Sequence, residues 1–308
     1  MPVVFICVDG GQWSPKGPQR IRDDSNFQGK VSLMPLVLQI RPGIDLPIEL
    51  AAFPWNDLAS MTESDIAHLP VWYGNRQEPL GDLFEVRGSA SDGDVVVRGD
   101  CRNVKGIGSK LAAGRIQIEG IVGNHLGAEM TGGEIFVEGD TADWTGAEMR
   151  GGRIQVIGNA GDQVGGAYRG SKKGMRGGEI LIHGNAGIEL GARQRRGLIA
   201  VGGMVGAGCG FGMIAGTILI GGGVSSSCGI GMKRGSIIFL QPGSDRSVPM
   251  TFCPSITMRT TFLTLFEKHL RQAGFPIEEG IGQRRFRTWR GDMVSLGLGE
   301  ILSPAQEN

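Results

Sequence analysis

The strongest cluster of chemically capable side chains is basic and lies between residues 169 and 196. It combines an inserted segment with the repeat that follows and contains Arg169, Lys172, Lys173, Arg176, Arg193, Arg195 and Arg196, all of which except Arg176 are the candidate ligand-binding residues. Arginine forks bind carboxylates well, so the cluster indicates a surface for a polyanionic ligand or an acidic partner. A solvated basic rim is the alternative, and the sequence leaves it open.

Other polar residues lack the spacing of a catalytic or metal site. The four histidines occupy unrelated contexts, so structural or surface roles are expected for His68, His125, His183 and His269. Glu129 and Glu148 share one position of the repeat, where an acidic row facing solvent or a partner is favoured over a two-carboxylate active site. The sequence predicts no catalytic residue and no metal ligand on this chain.

A repeated segment positions these residues. Successive repeats start 19 residues apart, except for one step of 26, at Arg115, Glu134, Arg153, Glu179, Leu198, Thr217 and Ser236. Each start is followed by two apolar, mostly β-branched residues at spacing two, as in Ile116 and Ile118, which predicts a short strand with one buried face. The extra seven residues of the long step fall near 171–177 and predict a loop on one face.

Glycine recurs at three further positions of each repeat and argues against helices. Each glycine would cost about 1 kcal/mol in a helix interior, whereas it suits chain corners with positive φ. The sequence therefore predicts an all-β fold, a single-stranded parallel β-helix with coils of about 19 residues. Residues 257–273 change to helical spacing and predict an amphipathic helix after the repeats.

The outward position in the middle of each predicted strand changes character along the chain. The early repeats carry Gln117, Phe136 and Gln155, and the late repeats carry Leu181, Ala200, Leu219 and Ile238. An apolar outward row requires a cover, and the predicted C-terminal helix is the candidate.

Composition narrows the function classes. The 308 residues carry no net charge, so no global field attracts nucleic acid or a membrane. The uncharged stretch 197–232 keeps the phase of the repeat and is interpreted as strands, not as a membrane span. Five cysteines without a C-x-x-C pair fit a reducing cytoplasm, and Cys209 and Cys228 are interpreted as small core residues.

Four regions follow from these patterns. They are a poorly ordered extension (1–33), an N-terminal strand and cap region (34–93), the glycine-rich β-helix (94–243) and a C-terminal helix with a basic and aromatic tail (244–308). Within the second region, a strand is predicted at Pro35–Ile40 and a short helix beginning near Thr62.

Several motifs together resemble one known family over roughly residues 35–300. They are the Gly-Asn-Ala-Gly turns at 158–161 and 184–187, Gly-Met-Arg-Gly-Gly at 174–178, Arg-Gly-Leu-Ile-Ala-Val-Gly at 196–202, Ala-Gly-Thr-Ile at 215–218 and the late Arg-Phe-Arg and Arg-Gly-Asp stretch. The chain resembles the C subunit of formylmethanofuran dehydrogenase and that of the formyltransferase/hydrolase complex of methylotrophs. A more distant similarity is to the C-terminal domain of glutamate synthase.

The resemblance implies a right-handed β-helix that acts as a non-catalytic scaffold in one-carbon metabolism. It implies partner subunits that are amidohydrolase-like, formyltransferase-like and molybdopterin-protein-like, which would hold the metal ions of the complex. The complex would move a formyl group between formate, a furan-type carrier with a glutamate-rich tail and tetrahydromethanopterin. No cofactor is expected on this chain, although its basic cluster could meet the tail of the methanofuran-type carrier.

Two alternatives remain. The chain could be a glutamate-synthase-like domain that couples the active sites of a separate amidotransferase. It could also be a stand-alone enzyme acting on a polyanionic substrate, in which case the purified chain would be active by itself.

Overall fold

The computed structural model describes residues 5–8, 12–15 and 34–305. The predicted extension, residues 1–33, lies outside the described residues except for two short strands that pair antiparallel. The strands before the repeats are β1 (Phe5–Val8), β2 (Gln12–Pro15), β3 (Leu36–Ile40), β4 (Ile48–Glu49), β5 (Pro70–Tyr73), β6 (Arg76–Pro79), β7 (Phe84–Arg87), β8 (Asp94–Arg98) and β9 (Val104–Lys105).

The remaining elements are again mostly strands. They are β10 (Arg115–Glu119), β11 (Glu134–Val137), β12 (Arg153–Val156), β13 (Glu179–Ile182), β14 (Leu198–Val201), β15 (Met204–Val205), β16 (Thr217–Ile220), β17 (Gly223–Val224), β18 (Arg234–Phe239), β19 (Cys253–Arg259), β20 (Arg285–Gly291) and β21 (Leu298–Pro304). The α-helices are α1 (Glu63–Ala67), α2 (Leu80–Leu83) and α3 (Leu263–Gln272), and the 3-10 helices are Leu58–Ser60, Ser244–Ser247 and Ile281–Gln283.

The predicted single-stranded right-handed parallel β-helix is wrong. The strands form a 13-stranded mixed sheet in the order β19-β20-β21-β18-β16-β14-β13-β12-β11-β10-β8-β3-β7, beside a four-stranded sheet and two two-stranded sheets. The pairs β3–β7, β20–β21 and β19–β20 are antiparallel. The 19-residue period defines which residues of neighbouring strands pair, but it carries no information on the antiparallel strands that the non-repeating ends contribute.

The repeated strands pair in parallel at the offset of the repeat. Ile116 lies opposite Ile135 and Ile135 opposite Ile154, and the same register continues to β18. Both apolar residues of each strand are buried, so two continuous rows of aliphatic side chains form the main core. β8 joins this series because Val95 pairs with Ile116 and Val97 with Ile118.

Glycine is required where the chain turns into each repeated strand. At Gly152 the backbone has a φ of +85°, and a Cβ there would lie 2.7 Å from the carbonyl oxygens of Gly132 and Gly133. Both the left-handed conformation and the close approach of backbone from the preceding repeat exclude larger residues.

The N-terminal region contains both elements that its sequence indicated. β3 confirms the strand expected at Pro35–Ile40, and it pairs in parallel with β8. α1 begins after Thr62, whose hydroxyl accepts a hydrogen bond from the Asp65 amide, while the Asp65 carboxylate accepts one from the Thr62 amide. This reciprocal capping box stabilises a helix that is otherwise too short to form alone.

The C-terminal region covers part of the outward side of the sheet. Leu263 and Leu270 of α3 are buried against the outward row of Leu181, Ala200 and Leu219, in a second core that also holds Ile238, Phe275, Ile281, Phe286 and Leu302. The helix is shorter than predicted, because 253–259 forms the edge strand β19 paired with β20. No helix in the described part of the chain combines the length and the apolar character that membrane crossing requires.

Candidate functional site

The inserted segment forms an ordered loop, residues 166–177, that lies against the next repeat. The Ala167 amide donates to the Ala192 carbonyl at 3.2 Å, and the Gly174 amide donates to the Arg193 carbonyl at 2.9 Å. A tight turn at Tyr168–Ser171 presents Arg169, with Gly170 at a φ of +86° in its third position. The loop is therefore a fixed part of the surface.

The structure brings the predicted basic residues together. Arg169, Lys172 and Lys173 are exposed on the inserted loop, and the Arg195 amide donates to the Met175 carbonyl at 2.8 Å, which places the second group beside the first. We call the six predicted residues the basic surface: Arg169, Lys172, Lys173, Arg193, Arg195 and Arg196.

One member of the basic surface also has a structural role. Arg193 Nη1 donates to the Ser171 carbonyl at 2.5 Å, so this side chain ties the loop to the following repeat. Within residues 34–305, none of the six side chains forms an ion pair with a carboxylate within 4.0 Å. The other five cations are consequently available to a polyanion, and a carboxylate-rich ligand is the chemistry that matches them.

Glu148 anchors the inserted loop at both ends. Its Oε1 accepts a hydrogen bond from the Tyr168 amide at 3.3 Å, and its Oε2 lies 3.0 Å from Arg176 Nη2. Glu129, at the same position one repeat earlier, has no such partner among the described residues. The two residues of the expected acidic row thus differ: Glu148 anchors the loop, and Glu129 has no ion-pair partner among the described residues.

Arg150 extends the basic surface and was not predicted from the sequence. It occupies the same repeat position as Arg176 and Arg195, three residues before a repeated strand, and each of the three amides donates to a methionine carbonyl of the preceding repeat. The acceptors are the carbonyls of Met130, Met149 and Met175. The alignment of repeats contained this signal, since neighbouring strands lie about 4.8 Å apart and equal positions therefore form a row.

A group of aromatic side chains adjoins the same loop and was also not predicted. The rings of His125 and Trp144 stack with centroids 6.3 Å apart, those of Trp144 and Tyr168 are 5.0 Å apart, and His125 Nδ1 lies 3.0 Å from the Tyr168 hydroxyl oxygen. His125 and Trp144 are one repeat apart at the same position, a signal the sequence offered. Tyr168 lies in the inserted loop, so its contact with Trp144 could not be predicted from the 19-residue repeat.

Burial shifts the pKa values in this aromatic group. It lowers the pKa of His125 and raises that of Tyr168 to about 12. Three carboxylates add to the increase for Tyr168: Glu129, Glu148 and Glu49. At neutral pH the imidazole and the phenol are therefore both uncharged, and they share one hydrogen bond.

The other histidines lie apart from one another. His68 Nδ1 contacts the Ser64 carbonyl in α1, His183 is packed edge-on against Phe275, and His269 Nε2 lies 2.6 Å from Glu179 Oε2. No group of three or more His, Cys, Asp or Glu side chains in the described ranges is placed to hold a metal ion.

A cleft of about 750 Å³ lies between α3 and the starts of the repeated strands. Phe262, Leu265 and Phe266 form one wall, and a row of alternating charges forms the other. Arg153 pairs with both Glu134 and Glu179, and Glu179 also contacts His269. Because these charges neutralise one another, the cleft offers a ligand fewer free polar groups than the basic surface does.

The cysteines in the repeats are reduced and buried. Cys209 and Cys228 occupy equal positions in adjacent repeats, both have 0% exposure, and neither forms a disulfide. Burial raises the pKa of Cys228 to about 12 and that of Cys209 as well, so these thiols are unreactive near neutral pH. They are the small core residues that the sequence indicated.

Comparison with known proteins gives consistent results for sequence and structure. No family model matches the chain. It is 39% identical over 95 residues to the C subunit of molybdenum-containing formylmethanofuran dehydrogenase 1 from Methanosarcina barkeri, covering 30% of this chain and 32% of that protein. It is 39% identical over 91 residues to the C subunit of tungsten-containing formylmethanofuran dehydrogenase 2 from Methanothermobacter marburgensis, covering 28% and 34%. The chain thus matches about a third of the length of these curated relatives.

A solved structure matches over a much longer range. It is a chain in the crystal structure of the formyltransferase/hydrolase complex FhcABCD from Methylorubrum extorquens in complex with methylofuran. The identity is 33% and the TM-score 0.79, and the match covers 88% of this chain and 100% of the other.

Proposed function

The chain belongs to the family of C subunits of formylmethanofuran dehydrogenases and formyltransferase/hydrolase complexes, and from this membership we propose that it is a non-catalytic scaffold subunit of such a complex in one-carbon metabolism. The observation that carries the proposal is the alignment at 33% identity to the whole of a chain in a formyltransferase/hydrolase complex. The similar curated proteins are C subunits of dehydrogenase complexes, which favours this function over the glutamate-synthase-like alternative.

The proposed partners are the catalytic subunits of the complex. An amidohydrolase-like and a formyltransferase-like subunit would carry the active sites, with a molybdopterin-protein-like subunit in a dehydrogenase version. The formyl group would pass between formate, a furan-type carrier and tetrahydromethanopterin on those subunits. This chain would supply a rigid surface for them, and the continuous aliphatic rows of its core support that role.

Purification of the tagged chain from its native source tests this function. We expect amidohydrolase-like and formyltransferase-like chains to co-purify, with formyl-transfer activity in the complex and none in the isolated chain. Mass spectrometry of the co-purifying chains and a formyl-transfer assay on both samples provide the measurement. Activity of the isolated chain would overturn the scaffold proposal, and absence of any partner would overturn membership in a complex.

For the basic surface we propose contact with the acidic tail of the carrier. The amides of Arg195 and Arg196 donate to the Met175 carbonyl of the inserted loop, which also carries Lys172 and Lys173, and none of these four cations has a carboxylate partner within residues 34–305. A glutamate-rich tail supplies carboxylates at regular spacing, which such a row of cations binds through paired hydrogen bonds.

A synthetic oligoglutamate is the probe for this contact. Replacing Arg195 and Arg196 by Ala should weaken its binding about tenfold and reduce the dependence of binding on salt, as measured by calorimetry at two ionic strengths. The matched control is Lys268→Ala with Arg271→Ala on the exposed side of α3, which should leave binding unchanged. Arg193 is kept, because its loss would also release the loop. Equal binding by all three proteins would overturn the proposed contact.

A further inference from the structure

The aromatic group beside the inserted loop is a prearranged surface that the proposed function does not use. It consists of His125, Trp144 and Tyr168, each of them half-buried, and we call it the aromatic patch. The rings of Trp144 and Tyr168 are nearly parallel, with an interplanar angle of 29°, and a hydrogen bond joins His125 to Tyr168, whose ring centroids are 5.6 Å apart. The patch therefore presents broad ring faces in a fixed arrangement.

The backbone under the patch is strained at both repeat positions. His125 has a φ of +65° and Trp144 a φ of +64°, a region that large side chains rarely occupy. Hydrogen bonds from their amides to the carbonyls of Asp143 and Asp162, both at 2.8–2.9 Å, hold this conformation. Glycine would fit these corners with less strain, and it has a positive φ at the equivalent Gly208. Gln163 and Glu189 occupy the same corner of the next two repeats with φ of +59° and +56°, so this position carries side chains in four successive repeats, and the first two of them are aromatic.

The charges around the patch are mainly negative. Glu148 is neutralised by Arg176, and Lys105 is the cation nearest to His125. Three further carboxylates close to His125 or Tyr168 form no ion pair with a described residue: Glu49, Glu129 and Asp143. Of these, Glu49 accepts a hydrogen bond from the Ala51 amide and Asp143 one from the Asp162 amide, whereas Glu129 accepts none from described residues. The patch thus combines ring faces with a partly exposed carboxylate that pairs with no described residue.

We propose that the aromatic patch, together with Glu129, binds an arginine side chain on a partner subunit of the complex. A guanidinium stacks on the faces of Trp and Tyr and forms paired hydrogen bonds with a carboxylate, so it uses both features at once. A lysine ammonium would use the charge but not the stacking geometry. The three ring centroids lie 5.0–6.3 Å from one another, and Trp and Tyr are residue types enriched at the centres of protein interfaces. The identity of the partner rests on the proposed function.

The test measures the affinity of the chain for the remaining subunits of its complex, purified together without it. Trp144→Ala should raise the dissociation constant about 30-fold, and Glu129→Gln, which removes the charge but keeps the shape, about five- to tenfold. The matched control is Trp72→Ala, because Trp72 is 48% exposed in β5 and lies outside the patch. The control should bind as the wild type does.

Selective modification then identifies the side chain on the partner. Treating the partner subunits with phenylglyoxal, which modifies arginine, should weaken binding of the wild type about as much as Trp144→Ala does, and should leave binding of the Trp144→Ala variant almost unchanged. Acetylation of lysines should not produce this pattern. If acetylation produces it and phenylglyoxal does not, the assignment to arginine is wrong.

The outcomes separate this inference from the proposed function. If the wild type binds the partner subunits and both patch variants bind equally well, the inference is overturned and the function stands. If the wild type binds no partner subunit, the proposed function itself fails. Thermal unfolding of each variant shows whether it is folded, and Glu129→Gln still decides the question if Trp144→Ala does not fold.

Discussion

The early repeated strands β10 and β12 differ from the later strands β13 and β16 on the side of the sheet that faces away from the main core. In β10 and β12 the middle position holds the partly exposed Gln117 and Gln155. In β13 and β16 it holds Leu181 and Leu219, both with 0% exposure. The register of strand pairing is the same in both groups of strands, so the difference in burial arises from the elements that pack on their outward side. α3 and the C-terminal strands cover the late strands, contact β12 through the hydrogen bond from Gln155 to the Ala273 carbonyl, and leave Gln117 of β10 uncovered.

The corners of the repeats show a related difference. At one corner position the early repeats carry non-glycine residues with positive φ, including Glu129, Glu148 and Arg193, whereas the late repeats carry Gly212 and Gly231. At this corner Glu148 and Arg193 hold the inserted loop, and non-glycine residues with positive φ also occur at a second corner, at His125, Trp144, Gln163 and Glu189. The backbone path is therefore the same in each repeat, and the surfaces differ through a few residues at equivalent positions.

Removing an apolar side chain under α3 should have the largest effect on stability. Leu219 lies opposite Ala200 and Ile238 in the sheet and is fully buried in the core shared with Leu263 and Leu270. Leu219→Ala should lower the free energy of unfolding by about 2–5 kcal/mol, because it leaves a cavity that the two layers cannot close. Urea denaturation followed by circular dichroism provides the measurement.

The matched control for Leu219→Ala is Gln117→Ala. Gln117 occupies the same position in β10 and donates a hydrogen bond to Glu138 at 3.2 Å. Its loss should cost less than about 1 kcal/mol, because the residue is not covered by a second layer. Equal losses in the two variants would contradict the comparison between covered and open strands.

Acidification should lower the free energy of unfolding through His183, which lies between the early and the later repeated strands. His183 follows β13 beneath Phe275, and burial lowers its pKa to about 4. In the unfolded state the histidine pKa is near 6.5, so between about pH 6.5 and pH 4 the unfolded chain binds a proton at His183 and the folded chain does not. The contribution of His183 to the free energy of unfolding is therefore fully present above about pH 7. It should fall as the pH drops from about 6.5 to about 4, by about 2–3 kcal/mol in total.

His183→Gln isolates this contribution from those of other titrating groups. The difference in unfolding free energy between wild type and variant should be constant above about pH 7 and should shift in favour of the variant by about 2–3 kcal/mol at pH 4. Gln155 Nε2 lies 3.0 Å from His183 Nε2 and donates to the Ala273 carbonyl, so the same acidification should loosen the end of α3. A pH-independent difference would show that His183 is not the group responsible.

The pairing of strands and the need for a cover could be predicted from the sequence. Ile116 and its equivalents recur at a fixed spacing, and that spacing alone predicts which residues lie opposite each other. The apolar outward row at Leu181 and Leu219 likewise predicted a covering element, and α3 confirms it. The cap of α1 was visible because Thr62 and Asp65 stand three residues apart. All of these signals are local or strictly periodic.

The architecture and the aromatic group beside the inserted loop could not be predicted in this way. The last three residues of β19, 257–259, were assigned to a helix because Met258 and Phe262 follow helical spacing. The residues of β19 are all exposed, and the strand depends on pairing with β20, which is distant in sequence. The mixed sheet arises from the same non-local pairings. Tyr168 reaches Trp144 only through the path of the inserted loop, and a period of 19 residues contains no information about an insertion's path.

Breaking the loop anchor should have a smaller effect on stability than the changes under α3. Glu148 is the ion-pair partner of Arg176, whose Nε is buried without a hydrogen-bond acceptor. Glu148→Ala should lower the free energy of unfolding by about 1–3 kcal/mol, because it leaves a guanidinium largely unpaired. It should also make 166–177 sensitive to trypsin in the folded protein, which limited proteolysis with mass spectrometry would detect. Glu129→Ala, one repeat earlier, is the control and should leave the loop resistant.

Exchanging residues at the corner position should have the smallest effects, and they should be opposite in sign. Gly212 has a φ of +60°, and a Cβ there would meet nothing closer than Arg193 Cγ at 3.5 Å, so Gly212→Ala introduces left-handed strain without a clash. We expect a loss of about 1 kcal/mol. Glu129 has a φ of +56°, and Glu129→Gly should relieve its strain and stabilise the protein by about 0.5 kcal/mol, since the greater freedom of glycine in the unfolded chain offsets part of the gain. Urea titrations measure both changes. If both variants had a lower free energy of unfolding than the wild type, contacts of the Glu129 side chain would be what stabilises its corner. The contrast between the corners with Glu129 and with Gly212 would then arise from packing instead of backbone strain.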